Sequence, residues 1–411
     1  MKVLSLCALV SLVSRCTATI YENGHERETH FVNTRIPSLG TNDTEWTTYG
    51  PNATELSYKG RWDDKHISWW AAPGLKFAFT GESVAITFGP HTTNTVLVAY
   101  RTAGLDWQLS NITTNATHQF VSPSTPGLNA TLPSQLPLTF ELRVTNWAYG
   151  VQINAVHLAK GEKLIKVPEF SRRIEFIGDS LQSGYGAVYE ALSGFGYTVG
   201  AGLGSTEFSI TAYPGICLHD ANCWGNPRGQ TYQFFRTSDT SPRAAALYNS
   251  TPPLYDFSSQ PTKTDLVIIM IGTNDNNTAN PVRGDSYYRS YLSFVPELHT
   301  TFPSADIVIM NLWGNFVRQG NTWVQQPKFI DEIRKVYDVL KGEGYPVHFF
   351  DTKGILQHND MGPTFHPTDA GHLKIAAHLI RWINVMFGWE LDATGPEVQH
   401  ETTYWNDQVN Y

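Results

Sequence analysis

The chain has 411 residues, a formal net charge of −8 and only 16% charged residues. This mild acidity supplies no basic stripe to neutralise phosphates and argues against nucleic acid as a partner, and no apolar run reaches the roughly 20 residues needed to span a bilayer. Aromatic residues make up 13%, with 12 Trp and 19 Tyr, a balance suited to offering flat faces to a neutral ligand such as a sugar.

Residues 1–18 read as a signal peptide: Lys2 gives the positive end, Val3 to Val13 the short apolar core, and Cys16-Thr-Ala18 the small residues for cleavage. A soluble, secreted, extracellular protein starting near Thr19 is the expectation. Seven Asn-X-Ser/Thr sequons agree with export, at Asn42, Asn52, Asn111, Asn115, Asn129, Asn249 and Asn276. Cys7 and Cys16 leave with the leader. The remaining pair, Cys217 and Cys223, is expected to form a disulfide in an oxidising compartment.

Residues 19–54 form a polar, aperiodic arm. From 55 to 166, short β-type runs alternate with turn residues: Leu75–Phe79, Ser83–Phe88, Thr95–Tyr100, Leu138–Val144 and Val151–His157. Strands at this spacing without helical patterns between them indicate an all-β sandwich or jelly roll. Within it Trp62, Trp69 and Trp70 are candidates for a stacking platform. A charged stretch with Pro168 serves as the linker. From 170 to 390 the pattern changes to nearly continuous apolar runs at Ile174–Ile177, Asp265–Ile271, Asp306–Met310 and Val347–Phe350, the signature of buried parallel strands. Helical spacing appears over Gln326–Lys341 and Asp369–Trp389. Strands alternating with helices imply an α/β/α sandwich around a parallel sheet. Residues 391–411 are a polar tail.

The chemistry concentrates where these strands end. Gly178-Asp-Ser180 follows the first of them, placing a serine hydroxyl at the carboxyl edge of the sheet, where such sheets bind ligands. Serine needs a neighbouring base to act as a nucleophile. His366, in Pro363-Thr-Phe-His-Pro-Thr-Asp369 just before the last helix, is the candidate base. Gly272-Thr-Asn-Asp275 follows the strongest apolar strand, and Gly215 follows the strand-like Phe208–Ala212. The backbone N–H groups of Ser180 and Gly215 and the side-chain amide of Asn274 are candidate donors to an oxyanion. Trp313, after another strand, is the leading candidate for stacking on a sugar, with Tyr185 and Trp224 behind it. His25-Glu-Arg-Glu-Thr-His30 has the wrong spacing for a zinc helix, and no phosphate-cradling loop occurs, so neither metal nor cofactor is implied.

The order of these blocks resembles the SGNH, or GDSL-type, hydrolase superfamily, whose signature residues would here be Ser180, Gly215, Asn274 and His366. The resemblance covers roughly Ile174 to Trp389. A jelly roll before such a domain, together with Gly60-Arg-Trp62, further resembles carbohydrate esterase family 2. That implies a three-layer SGNH-type fold behind a jelly roll, and a serine esterase that removes acetyl groups from plant cell-wall polysaccharide such as acetylxylan or mannan. The resemblance breaks at one point: the superfamily usually has Asp three residues before the histidine, and here that residue is Pro363. Three readings follow: Asp360 orients His366, a main-chain carbonyl near Pro363–Thr364 does so (the favoured reading), or the site is impaired. Competing functions are a lipase or small-ester hydrolase of the same superfamily, and a carbohydrate-binding protein with a decayed esterase site. The expected partner is an acetylated polysaccharide or oligosaccharide, with no nucleic acid or membrane, and the expected state is a monomer.

Overall fold

The computed structural model describes residues 21–22, 25–26, 36, 38–42, 44–103, 107–125, 137–278, 280–362 and 365–391. The expected leader, the tail beyond Leu391, the sequon at Asn129, and Pro363 and Thr364 lie outside them. Tyr21–Glu22 (β1) pairs antiparallel with His25–Glu26 (β2) in a unit of its own, residues 1–33.

From Trp46 onward two architectures share one long strand. The first is a β-sandwich. One of its sheets contains Ser57–Trp62 (β4), Ser68–Phe79 (β5), Val96–Thr102 (β7), Gln108–Ile112 (β8), Leu138–Val144 (β10) and the short Leu164–Ile165 (β12). The other has the order β3-β11-β6-β9, from Trp46–Tyr49 (β3), Val84–Phe88 (β6), Thr117–Val121 (β9) and Ile153–Ala159 (β11). Alternating apolar positions fill the space between them: Leu75, Phe77 and Phe79 meet Ile86, Phe88, Phe140, Leu142 and Val156, all buried.

The second architecture is the three-layer α/β/α fold. Arg172–Gly178 (β13), Thr206–Ala212 (β14), Leu266–Met270 (β15), Asp306–Met310 (β16) and Val347–Phe350 (β19) pair in parallel in the order β19-β16-β15-β13-β14. Every residue of β14 and β15 is buried, as expected of strands covered on both faces. The helices pack in pairs: Phe195–Leu203 (α1) on Asp369–Phe387 (α6), and Gly284–Thr301 (α4) on Ile330–Gly342 (α5). Two further short helices, Gln230–Gln233 (α2) and Pro242–Tyr248 (α3), lie between β14 and β15 in the chain. The helix expected from Gln326 begins at Ile330, because Asn315–Gln319 (β17) and Thr322–Gln326 (β18) form a hairpin in front of it.

The two parts are joined by continuous sheet. Strand β5 pairs antiparallel with β14 through Ala71 and Ile210, so the parallel sheet runs on into the sandwich. The beginning of β5, Trp69–Ala72, is buried in the core of the α/β/α part, and its end, Leu75–Phe79, in the sandwich core. Trp69 and Trp70 are each 1% exposed, which removes them from any stacking platform. Only Trp62 of that trio stays half-exposed. Among the described residues, no helix is long and apolar enough to cross a membrane.

Candidate active site

Register builds the site. Gly178 at the end of β13 pairs with Ala212 on one side and with Met270 on the other. Ser180, Gly215 and Asn274 therefore leave the sheet two, three and four residues beyond one aligned row, at the same carboxyl edge. His366 arrives from the loop ahead of α6, and its Nε2 lies 2.9 Å from Ser180 Oγ. The sequence separation of this contact is 186 residues.

The serine turn is fixed locally. Asp179 accepts the N–H of Leu181 on Oδ1 at 3.0 Å, its carbonyl accepts the N–H of Ser183 at 3.0 Å, and Ser180 O accepts the N–H of Tyr185 at 3.0 Å. Gly184 continues the turn at φ +73°, where an added Cβ would sit 2.0 Å from the Glu190 carbonyl oxygen. The His366 loop is also tight: its carbonyl accepts the N–H of Gly362 at 2.7 Å, and Met361 bridges Pro367. Asp369, in the first turn of α6, accepts the N–H of Val188 at 3.2 Å and ties the histidine loop to the serine loop.

The candidate oxyanion donors are held in place by one carboxamide, Asn274, and one carboxylate, Asp275. Asn274 Nδ2 donates to Ile216 O at 3.0 Å, so Asn274 lies directly against the Gly215 segment with one further N–H to give. Gly215 has φ +82°, and a Cβ there would lie 2.8 Å from Trp224 Cβ, so backbone conformation and space both require glycine. Asp275, the residue after Asn274, accepts the N–H groups of Leu218 at 2.8 Å and His219 at 2.9 Å. It thus clamps the Gly215 loop, which the Cys217–Cys223 disulfide closes a few residues on. Asp275 was not singled out from the sequence, since its partners are backbone groups of a distant loop; the Gly-x-Asn-Asp block was its only signal.

Burial sets the local electrostatics. The Asp179 carboxyl is pushed up to about 7 by burial, partly offset by the Leu181 N–H and reinforced by Asp275 nearby. Asp275 is pushed up to about 6 by burial, against the N–H groups of His219 and Leu218. His372 is fully buried and accepts the N–H of Phe195 on Nδ1 at 3.3 Å. Burial, with His366 close by, lowers its pKa to about 3 and keeps it neutral.

Two of the candidate roles are not met, the Asp360 reading, which is not the favoured one, and sugar stacking by Trp313. Asp360 does not orient His366: its carboxylate accepts Lys374 Nζ at 2.7 and 2.8 Å and the N–H of Gln357 at 2.8 Å. Trp313 offers no stacking face either. It is 2% exposed and packs edge-on against Phe195, because its position after β16 points into the core. The exposed rings at this edge are the two secondary candidates. Tyr185 is 38% exposed with its ring 4.7 Å from that of His366, and Trp224, beside Gly215, is 67% exposed. Trp323 on β18 is exposed as well and stacks on His358 at 4.8 Å. The main-chain alternative for holding His366, at Pro363–Thr364, falls outside the described residues.

Residues 176–374 match the family model of the GDSL-like Lipase/Acylhydrolase family. Among solved structures, the chain is similar to a carbohydrate esterase family 2 enzyme plus carbohydrate binding domain from Corynascus thermopiles (Myceliophthora fergusii), at 22% identity and TM-score 0.64, over 81% of this chain and 100% of that one. It is similar also to a family two carbohydrate esterase from Cellvibrio japonicus, at 16% identity and TM-score 0.66, over 84% and 98%. A third is an acetyl xylan esterase from the rumen bacterium Butyrivibrio proteoclasticus, at 18% identity and TM-score 0.63, over 84% and 99%. No curated protein matches by sequence. Residues 176–374, which hold the serine, glycine, asparagine and histidine blocks, form a GDSL-like lipase/acylhydrolase domain, and the protein is a carboxylic ester hydrolase by class.

Proposed function

We propose that this protein is a secreted serine esterase that removes O-acetyl groups from plant cell-wall polysaccharide, acetylated xylan or mannan, through an acyl-enzyme on Ser180. The observation that carries the reading is the 2.9 Å contact between Ser180 Oγ and His366 Nε2 at the sheet edge where Gly215 and Asn274 also emerge. As Ser180 Oγ attacks the acetyl carbonyl carbon, His366 Nε2 takes its proton. The carbonyl oxygen becomes an oxyanion, met by the N–H groups of Ser180 and Gly215 and by Asn274 Nδ2. The intermediate collapses, the carbon–oxygen bond to the sugar breaks, and His366 returns the proton to the departing sugar oxygen. Water, deprotonated by the same imidazole, then attacks the acetyl-serine and releases acetate. The Asp360 carboxylate is held by Lys374 and is given no part in these proton transfers.

The carbohydrate substrate is supported by the family two carbohydrate esterases and the acetyl xylan esterase among the structural neighbours, and by exposed aromatic rings at the serine edge. Secretion rests on the leader pattern and the sequons. Of the latter, Asn42, Asn52, Asn115, Asn249 and Asn276 are exposed. The deciding assay is acetate release from positionally defined sugar acetates and acetylated xylan, set against hydrolysis of long fatty-acyl esters. Preference for the sugar acetates supports the reading; preference for long acyl chains assigns the site to lipid.

A further inference from the structure

One wall of the catalytic edge comes from the β-sandwich. The loop that leaves β10 carries Trp147, whose ring lies 5.4 Å from that of Tyr185, and Tyr185 lies 4.7 Å from the His366 ring. The three rings thus run in series from the catalytic imidazole on to the sandwich. Two residues further, Tyr149 is 46% exposed, and Trp147 itself is half-buried.

The loop is built to hold this position. Asn146 Nδ2 donates to Glu190 Oε1 at 2.8 Å, Thr145 Oγ1 donates to Glu190 Oε2 at 3.4 Å, and Thr145 O accepts the N–H of Ala191 at 3.1 Å. Asn146 Oδ1 accepts the N–H of Ala148 at 2.7 Å, which shapes the turn that presents Trp147. At the far end Thr93 fixes Gly150 through two hydrogen bonds, one to its carbonyl at 2.9 Å and one from its N–H at 3.2 Å. Glu190 holds a left-handed backbone conformation, φ 50°, next to Gly184 of the serine turn. A wall that merely filled core would not need exposed rings or this polar clamp.

We infer that Trp147 and Tyr149, continuing from Tyr185, form a subsite for a pyranose unit of the polysaccharide on the leaving-group side of the reacting ester. The assignment rests on the esterase reading above. His366 protonates the sugar oxygen, so the sugar backbone lies against the imidazole, and the ring it meets next is Tyr185, then Trp147. An acetyl group is too small to use a wall of this extent. A fatty-acyl chain would call for a closed apolar channel rather than rings interleaved with Asn146 and tyrosine hydroxyls. A pyranose presents apolar C–H faces with hydroxyls at its rim and fits both features. Trp147 is therefore a specificity residue supplied by the module that does not carry the nucleophile.

The test measures binding and turnover separately in the full chain. Affinity for a non-acetylated xylo-oligosaccharide is read by calorimetry in wild type, Trp147→Ala, Trp147→Phe and Tyr149→Ala. Loss of one ring face is expected to weaken binding about tenfold in Trp147→Ala, with partial rescue in Trp147→Phe and a smaller loss in Tyr149→Ala. KM for acetylated oligosaccharide should rise in parallel, while kcat changes much less. Unchanged affinity in both alanine variants overturns the subsite. So does a loss confined to kcat, which would make Trp147 a support for the Tyr185–His366 packing. Labelling of Ser180 by a fluorophosphonate in the same variants reports that the fold and the nucleophile persist. A wild type that binds oligosaccharide but neither labels nor turns over would refute the esterase reading and leave the subsite standing.

Discussion

Lys374 Nζ donates to both carboxylate oxygens of Asp360, at 2.7 and 2.8 Å, so the nearest acid preceding the histidine in sequence serves helix α6 rather than the imidazole. Asp360→Asn should accordingly keep catalytic activity within about tenfold of wild type. It should cost stability on the order of 1–2 kcal/mol, a figure kept small because Lys374 is 45% exposed. Chemical denaturation and acetate release on the same preparation separate the two effects. A collapse of activity by thousands-fold would mean that the carboxylate completes a triad.

The Asn274–Ile216 contact locks two sequence blocks together at the proposed oxyanion site. Asn274→Ala should lower kcat by about 10²–10³ with little change in KM, since the lost donor acts mainly on the transition state. Gly215→Ala should be comparably damaging, because it requires φ +82° of a residue with a Cβ and presses that carbon on Trp224. Steady-state kinetics of the pair check this; a Gly215→Ala enzyme of normal kcat would place the oxyanion elsewhere.

Much of the fold and most of the site could be read before any coordinates. Periodicity identified five sandwich strands, β5, β6, β7, β10 and β11, and the parallel strands, but left Trp46–Tyr49 (β3) in an arm; the serine, asparagine and histidine blocks stood in a recognisable order. What failed to show were contacts whose logic is spatial. Strand β5 reads as ordinary sandwich strand, yet its first half is core for the other module. Asp275 acts through the N–H groups of Leu218 and His219, which no spacing rule connects to it. Trp313 resembled a platform because it follows a strand, but a strand buried on both faces can as readily send the next side chain inward. Trp147 escaped notice because its partner, Tyr185, is in the other module.

Asp179 and Asp275 form a buried carboxyl pair beneath the oxyanion loops, and this has a signed consequence for pH. A carboxyl near 7 in the folded chain and about 3.9 in the unfolded one binds more proton when folded between those values. Its contribution to stability is therefore largest below about pH 4 and declines as pH rises through 7. Asp179→Asn removes the charge while keeping an acceptor for the Leu181 N–H. Relative to wild type it should gain stability from pH 5 to pH 8, by an amount on the order of 2 kcal/mol. Denaturation midpoints at the two pH values decide; an unchanged or reversed difference contradicts the burial argument.

Trp313 should prove a core residue and nothing more. Trp313→Ala is expected to cost about 3–5 kcal/mol of stability, whereas loss of the small Cys217–Cys223 loop closure by Cys223→Ser should cost about 2 kcal/mol. In a folded Trp313→Phe variant the KM for acetylated oligosaccharide should stay at the wild-type value. A selective rise in that KM would restore Trp313 as a sugar-stacking ring.

The central claim is that His366 activates Ser180 for attack on an ester. Fluorophosphonate labelling followed by peptide mass analysis tests it most directly. The account predicts stoichiometric modification at Ser180 in the wild type, none in Ser180→Ala, and labelling slowed by orders of magnitude in a folded His366→Ala. A folded wild-type protein in which Ser180 stays unmodified, or labels equally fast without His366, would contradict it.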